Sequence, residues 1–174
     1  KFQLNILGPN CLGFVNYSAH LNATFGSVPR ESGNIRFASQ SGALATGLFD
    51  WAAATGIGFK EFVTLGNKAD INENDILEYW LQEEAKTKYK PPKNGGLSPY
   101  QPIGMYLESV VAGEGFIKKA KSLSRKNPIV ILKPGKSVAA RSAMQSHTGA
   151  MAGDDDIFEA AVEKIGAIRA EGLE

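Results

Sequence analysis

The sequence predicts a layered α/β domain built on a parallel sheet, and three observations predict it. Short β-type runs alternate with amphipathic runs along the chain. Breaker clusters such as Gly8-Pro9-Asn10, Gly66-Asn67 and Pro134-Gly135 close several of the β-type runs. The 174 residues, 43% apolar and 21% charged, form an ordinary globular mixture sized for one domain over 1–174. Such alternation implies right-handed βαβ crossovers and a sheet with helices laid on it.

The elements follow in order. Residues 2–7 read as a first strand and residues 35–38 as a second. A helix face of Leu44, Leu48, Trp51 and Ala52 comes next, then a third strand over 59–65. Ile76, Leu77, Trp80 and Leu81 mark a second helix. Residues 86–101 break the rhythm. Four lysines, three prolines and Gly95-Gly96 predict an exposed loop insertion that solvates the surface. A fourth strand spans 103–107. Phe116, Ile117, Ala120 and Leu123 give a third helix, and residues 128–132 a fifth strand. Ile157, Phe158, Ala161, Val162 and Ile165 give the clearest helix, opened by the acids 154–156, which favour a helix N-terminus. Residues 167–170 complete the set as a sixth strand.

Composition narrows the function. Lys plus Arg total 19 against 18 Asp plus Glu, a net charge of +1. That balance gives no general pull toward nucleic acid or an acidic membrane. A chain of this length buries roughly 70% of its unfolded surface and needs no covalent staple. The one cysteine, Cys11, rules out an internal disulfide framework and a cysteine zinc cluster, and fits a reducing, cytoplasmic setting. No apolar run reaches the roughly 18 residues of a spanning helix. The opening Lys1-Phe2-Gln3-Leu4-Asn5 is no signal peptide, lacks an initiator Met and reads as a piece excised from a longer protein.

In parallel α/β sheets the working edge lies at the C-terminal ends of the strands, so candidate chemistry is sought there. Ser39-Gln40-Ser41-Gly42-Ala43 joins the second strand to the first helix. Ser39 or Ser41 suits the cap, Gly42 permits close approach, and the free N–H groups with the helix dipole favour an anion such as phosphate. A plain serine cap with nothing bound is the other reading. Glu108 ends the fourth strand, where a carboxylate either faces water or holds an imidazole in the manner of the third group of a triad. The sequence has two histidines. His147 sits among small polar residues in Gln145-Ser146-His147-Thr148-Gly149-Ala150, as an accessible nucleophile or as a loop brace. His20 has no partner pattern and reads as structural. Nucleotide fingerprints are incomplete: Val130 stands where a P-loop before Gly135-Lys136-Ser137 needs glycine, and Glu61 where Gly56-Ile57-Gly58 needs one. Two distant histidines and one cysteine give no metal-ligand spacing.

Five motifs occur in a telling order: Gly8-Pro9-Asn10-Cys11-Leu12-Gly13, Ser39-Gln40-Ser41-Gly42-Ala43-Leu44, Gly66-Asn67-Lys68-Ala69-Asp70, Tyr106-Leu107-Glu108 and Ser146-His147-Thr148-Gly149-Ala150. Together they resemble the flavodoxin-like second domain of the NDP-forming acyl-CoA synthetases. The Ser-His-Thr-Gly-Ala form is closer to ADP-forming acetyl-CoA synthetases than to succinyl-CoA synthetase α subunits. The resemblance implies a ligase in which acyl-CoA and phosphate give acyl phosphate and CoA, and a phosphohistidine then hands the group to ADP, making ATP. It places that histidine on His147 and its orienting glutamate on Glu108. It assigns phosphate contacts to Ser39, Ser41, Gly42, Ser146 and Gly149, and the CoA and acyl site to Pro9, Asn10 and Cys11. No role is legible for Gly66 to Asp70. The implied partners are a small acyl substrate, a CoA-binding Rossmann domain and an ATP-grasp module on the same chain or a companion subunit. These would bind most of the CoA, ADP or ATP and Mg2+. Succinate as substrate, or a non-catalytic acyl-CoA-sensing domain of a protein lysine acetyltransferase, are the competing expectations.

Overall fold

The structure, a computed structural model, describes residues 4–28, 32–86, 100–135 and 155–172. Along the chain lie β1 (Gly13–Asn16), β2 (Leu21–Thr24), β3 (Ser32–Ser39), α1 (Gly42–Thr55), β4 (Phe59–Thr64), α2 (Glu73–Lys86), β5 (Ile103–Tyr106), α3 (Gly113–Ser124), β6 (Ile129–Leu132), α4 (Asp155–Ile165) and β7 (Ile168–Arg169). The described strands form one sheet ordered β2-β1-β4-β3-β5-β6-β7. The five strands from β4 to β7 in that row are parallel. Their order is that of the flavodoxin type, in which the chain runs outward from β3 to one side and then returns to the other. The reversal falls between β3 and β5, and Ser39 pairs with both Thr64 and Tyr106, so the three strand ends coincide there.

Two apolar layers hold the sheet. On one face, Ala45, Phe49 and Ala52 of α1 pack on Leu12, Val15, Phe59 and Phe62. The Phe49 and Phe62 rings meet edge-on at 4.5 Å, and Phe37 stacks on Phe62 at 5.1 Å. On the other, Trp80, Phe116, Leu123, Phe158 and Val162 from α2, α3 and α4 cover Ile103, Met105, Ile129 and Ile131. Beneath α2, the fully buried Arg36 lies 3.8 Å from both Glu61 and Glu84 and over the Trp80 ring. The indole N–H of Trp80 donates to Glu61 at 2.7 Å.

The structure corrects several expectations. Residues 4–7 are not a strand: Leu4 and Ile6 are exposed, and Ile6, Gly8 and Pro9 instead accept single backbone bonds from Ile71, Ala69 and Asn67. The position beside β4 is taken by β1, with Phe14 opposite Val63, and β2 forms the edge. Because β1 runs antiparallel to both β2 and β4, the sheet is mixed rather than the wholly parallel one the sequence predicts. In α1 Ala52 is buried as expected, but the stripe it shares is Ala45 and Phe49 rather than Leu44 and Leu48, leaving Trp51 52% exposed. Ile157 is likewise outside the buried stripe of α4, which starts at Asp155. Asp154 and residues 87–99 of the expected insertion lie outside the described residues.

Candidate functional site

The β3–α1 junction is a tight, self-bonded turn. The buried Ser39 hydroxyl donates to the Ser41 carbonyl at 2.7 Å and accepts the Ser41 N–H at 3.1 Å. Ser41, in an extended conformation, is the cap of α1, and its Oγ accepts the Leu44 N–H at 3.2 Å. The Gly42 and Ala43 N–H groups fall in the first turn, where an α-helix offers no acceptor of its own. No acidic residue stands in that turn to balance the dipole. A Cβ at Gly42 would find only Leu12 atoms, at 3.9 Å, so the helix end is open rather than packed.

Glu108, just past β5, is buried to 9% exposure. Its backbone N–H and that of Ser109 both donate to the Gln40 side-chain oxygen, at 3.0 and 3.3 Å, while the Gln40 amide reaches the Ser109 hydroxyl at 3.5 Å. Gln40 thus ties the turn after β5 to the turn that opens α1. Burial, and secondarily the Glu108 carboxylate, push the neighbouring Tyr106 phenol above its ordinary pKa.

The third strand end supplies the other wall. Thr64 Oγ1 accepts the Leu12 and Gly13 N–H groups at 2.8 Å each, fastening the turn that carries Asn10 and Cys11. Gly66 has a left-handed φ of 57°, and a Cβ there would stand 2.1 Å from the Pro9 carbonyl oxygen. Asn67 donates its N–H to that same carbonyl at 2.9 Å, and the Asn10 amide reaches Asn67 Oδ1 at 3.3 Å. Lys68 turns inward, its ammonium bonded to Glu73 at 2.9 Å and to the Ser109 carbonyl at 2.7 Å.

Asn10, Cys11, Ser41, Gly42 and Glu108 therefore line one cleft of about 670 Å3 at the point where the strand order reverses, together with Gln40, Asn67 and Ser109. Ser39 lies beneath its floor, and Pro9 braces the Gly66 turn through its carbonyl instead of lining the wall. Ser146, His147 and Gly149 lie outside the described residues. His20 is exposed in the β1–β2 turn, its N–H bonded to the Tyr17 carbonyl at 3.2 Å. Among the described residues no group of three or more His, Cys, Asp or Glu is placed to hold a metal ion. The sequence reading gives no role to Gln40, Lys68 or Glu73, although Gln40 lies in the Ser39 to Leu44 motif and Lys68 in the Gly66 to Asp70 motif.

A flavodoxin-ordered sheet with polar groups converging at its switch point defines an α/β domain of the doubly wound class. Its family is equally clear: the sequence profile of the succinyl-CoA ligase-like flavodoxin domain matches residues 32–89 and 98–174, and the chain belongs to that family. Among curated proteins, an ADP-forming acetate–CoA ligase of Methanocaldococcus jannaschii is 41% identical over 174 residues, covering 100% of this chain and 23% of its own length. The α subunit of ADP-forming acetate–CoA ligase II of Pyrococcus furiosus is 38% identical, again over the whole chain and 35% of the relative. The solved structure of a dinucleotide-forming acetyl-coenzyme A synthetase 1 from Ca. Korarchaeum cryptofilum, in complex with phosphate and ADP, superposes with a TM-score of 0.81 at 35% identity, over 98% of this chain and 34% of that one. The chain thus spans between about a quarter and a third of the length of these relatives.

Proposed function

We propose that this chain is the phosphoryl-carrying domain of an ADP-forming acyl-CoA synthetase acting on acetyl-CoA. The observation that carries the reading is that Glu108 and the uncompensated N-terminus of α1 face one cleft at the switch point. Phosphate attacks the thioester carbonyl of acyl-CoA, and the thiolate leaves and is protonated to CoA. A ring nitrogen of His147 then attacks phosphorus of the acyl phosphate, and the carboxylate leaves as free acid. The phosphoryl group finally moves from nitrogen to the terminal phosphate oxygen of ADP, giving ATP.

Each residue has a physical task in this scheme. Glu108 accepts a hydrogen bond from one imidazole nitrogen, which fixes the ring and makes the other nitrogen the better nucleophile. The phosphoryl group brings about two negative charges. The α1 terminus at Ser41-Gly42 receives it with N–H donors and dipole, and Ser146 and Gly149 flank the carrier histidine. Ser39 holds the turn in shape from below. The Pro9-Asn10-Cys11 turn offers the CoA and acyl side of the cleft. A Rossmann domain and an ATP-grasp module supply most contacts to CoA, ADP and Mg2+, whose charge neutralises the nucleotide phosphates. A cytoplasmic setting accords with these substrates, and no described helix is long and apolar enough to cross a membrane.

The test uses the full-length protein with any companion subunit, labelled phosphate and acetyl-CoA. An acid-labile label should appear and should be lost in His147→Ala. Glu108→Gln should slow single-turnover labelling by about 10²-fold or more. A label that persists in His147→Ala overturns the assignment.

A further inference from the structure

We propose that the buried Lys68–Glu73 ion pair and Gln40 form a positioning clamp for Glu108, an inference that rests on the role given to Glu108 above. Both members of the pair are out of solvent, with the Glu73 side chain 0% and the Lys68 side chain 3% exposed. The Lys68 ammonium donates to Glu73 Oε2 at 2.9 Å and to the Ser109 carbonyl at 2.7 Å. Glu73 Oε1 accepts the Val111 N–H at 2.6 Å. From the opposite side Gln40 accepts the N–H groups of Glu108 and Ser109. Four backbone groups within residues 108–111 thus end on side chains from three other segments, and all four belong to the turn that carries Glu108.

Stability alone does not account for this choice of residues. A buried ion pair is commonly matched or bettered by apolar residues of similar size, because desolvation offsets its attraction. What apolar residues lack is direction: they cannot hold a carbonyl from one side and an N–H from the other. Lys68 also sits in the loop whose Asn67 braces Pro9 and Asn10, so one side chain links the two walls of the cleft. Glu108 is a polar group that must meet an imidazole, and a misplacement of about 1 Å is enough to cost 10²-fold in such a reaction.

The experiment is a cycle in the full-length enzyme, reading single-turnover histidine labelling from acetyl-CoA and labelled phosphate. Lys68→Met/Glu73→Gln removes both charges together, so no unpaired ion is left inside, and Gln keeps an acceptor for Val111. We expect about 10- to 100-fold slower labelling, an unchanged KM for acetyl-CoA, and a further change of less than about twofold when the pair of substitutions is added to Glu108→Gln. Should that variant lack a cooperative melt, Gln40→Leu, at a half-buried position, carries the same cycle with the same expectation. A wild-type rate in the folded clamp variants, or an equal slowing with and without the Glu108 carboxylate, overturns the clamp. If Glu108→Gln itself labels at the wild-type rate, the functional reading fails and takes the clamp with it. A slow Glu108→Gln beside a fast clamp variant isolates the failure to the clamp.

Discussion

The N-termini of α1 and α2 lie on the same edge of the sheet, each just beyond a parallel strand, yet they are finished in opposite ways. In α2, Asn72 Oδ1 accepts the Asn74 N–H and Asp75 returns a carboxylate oxygen to the Asn72 N–H, each at 2.9 Å, a reciprocal cap. Its first turn also holds Glu73, which is buried against Lys68. In α1 a single serine hydroxyl makes the cap, no carboxylate enters the first turn, and the end opens on the cleft. One helix end is filled by the protein's own anion and the other, on the reading proposed above, is left for phosphate. The comparison teaches that an anion site is made as much by withholding an acid as by supplying donors.

Emptying the filled end gives the largest expected effect. Glu73→Ala leaves the Lys68 ammonium buried without its partner and the Val111 N–H without its acceptor. That loss should cost about 3–5 kcal/mol, read as a lower denaturation midpoint at an unchanged slope. A cost under about 1 kcal/mol would mean that the pair relaxes into water and that α2 was never closed in the sense argued. Filling the empty end is the reverse experiment. Ala43→Glu puts a carboxylate into the exposed first turn of α1, where it should add about 0.3–1 kcal/mol of stability through the dipole. If the proposed phosphate site is right, the same charge should raise the phosphate concentration needed for half-maximal labelling by about tenfold through repulsion. A variant that is more stable and equally active would break the comparison.

How much of this was legible depends on how far a signal reaches along the chain. The parallel strands announced themselves through local apolar runs such as residues 129–132 and 103–107, and the Ser41 cap and Glu108 through their places at the ends of such runs. Ala52 is buried as its place on the expected face implies, but the rest of the α1 face lies one position on, at Ala45 and Phe49, because Ala45 is too small to signal burial and Trp51 is large; size misled where geometry decided. The β1–β2 hairpin was missed because its four-residue strands are joined by Tyr17 to His20, without an Asn-Gly signal, while residues 2–7 carried the stronger apolar pattern. Gln40, Lys68 and Glu73 were beyond reach for another reason. Their partners lie 69, 41 and 38 positions away, and each of these bonds joins a side chain to a backbone group. Periodicity reveals faces, whereas such bonds exist only once the topology has brought distant turns together.

A third helix end, that of α4, tests the comparison most gently. Its first-turn acid Asp155 is satisfied from outside the helix, by Arg169 at 2.7 Å and Lys133 at 3.5 Å, with Glu159 sharing Arg169 at 2.5 Å. The Arg169 hydrogen bond, above all, holds the Asp155 carboxyl below its ordinary pKa, with the charges of Arg169 and Lys133 adding to it. A depressed folded-state pKa means that this group stabilises the fold above the unfolded value of about 3.9 and that the contribution is lost as pH falls through the folded value. Asp155→Asn should therefore cost less than about 1 kcal/mol at pH 7, the pair being partly solvated, and the gap between variant and parent should close in denaturation curves taken toward pH 3. A gap that stays constant over that range would show that Asp155 acts through packing or hydrogen bonding alone. The charge rule drawn from α1 and α2 would then not extend to an end where the acid meets its cations from β7 and from the residue just past β6.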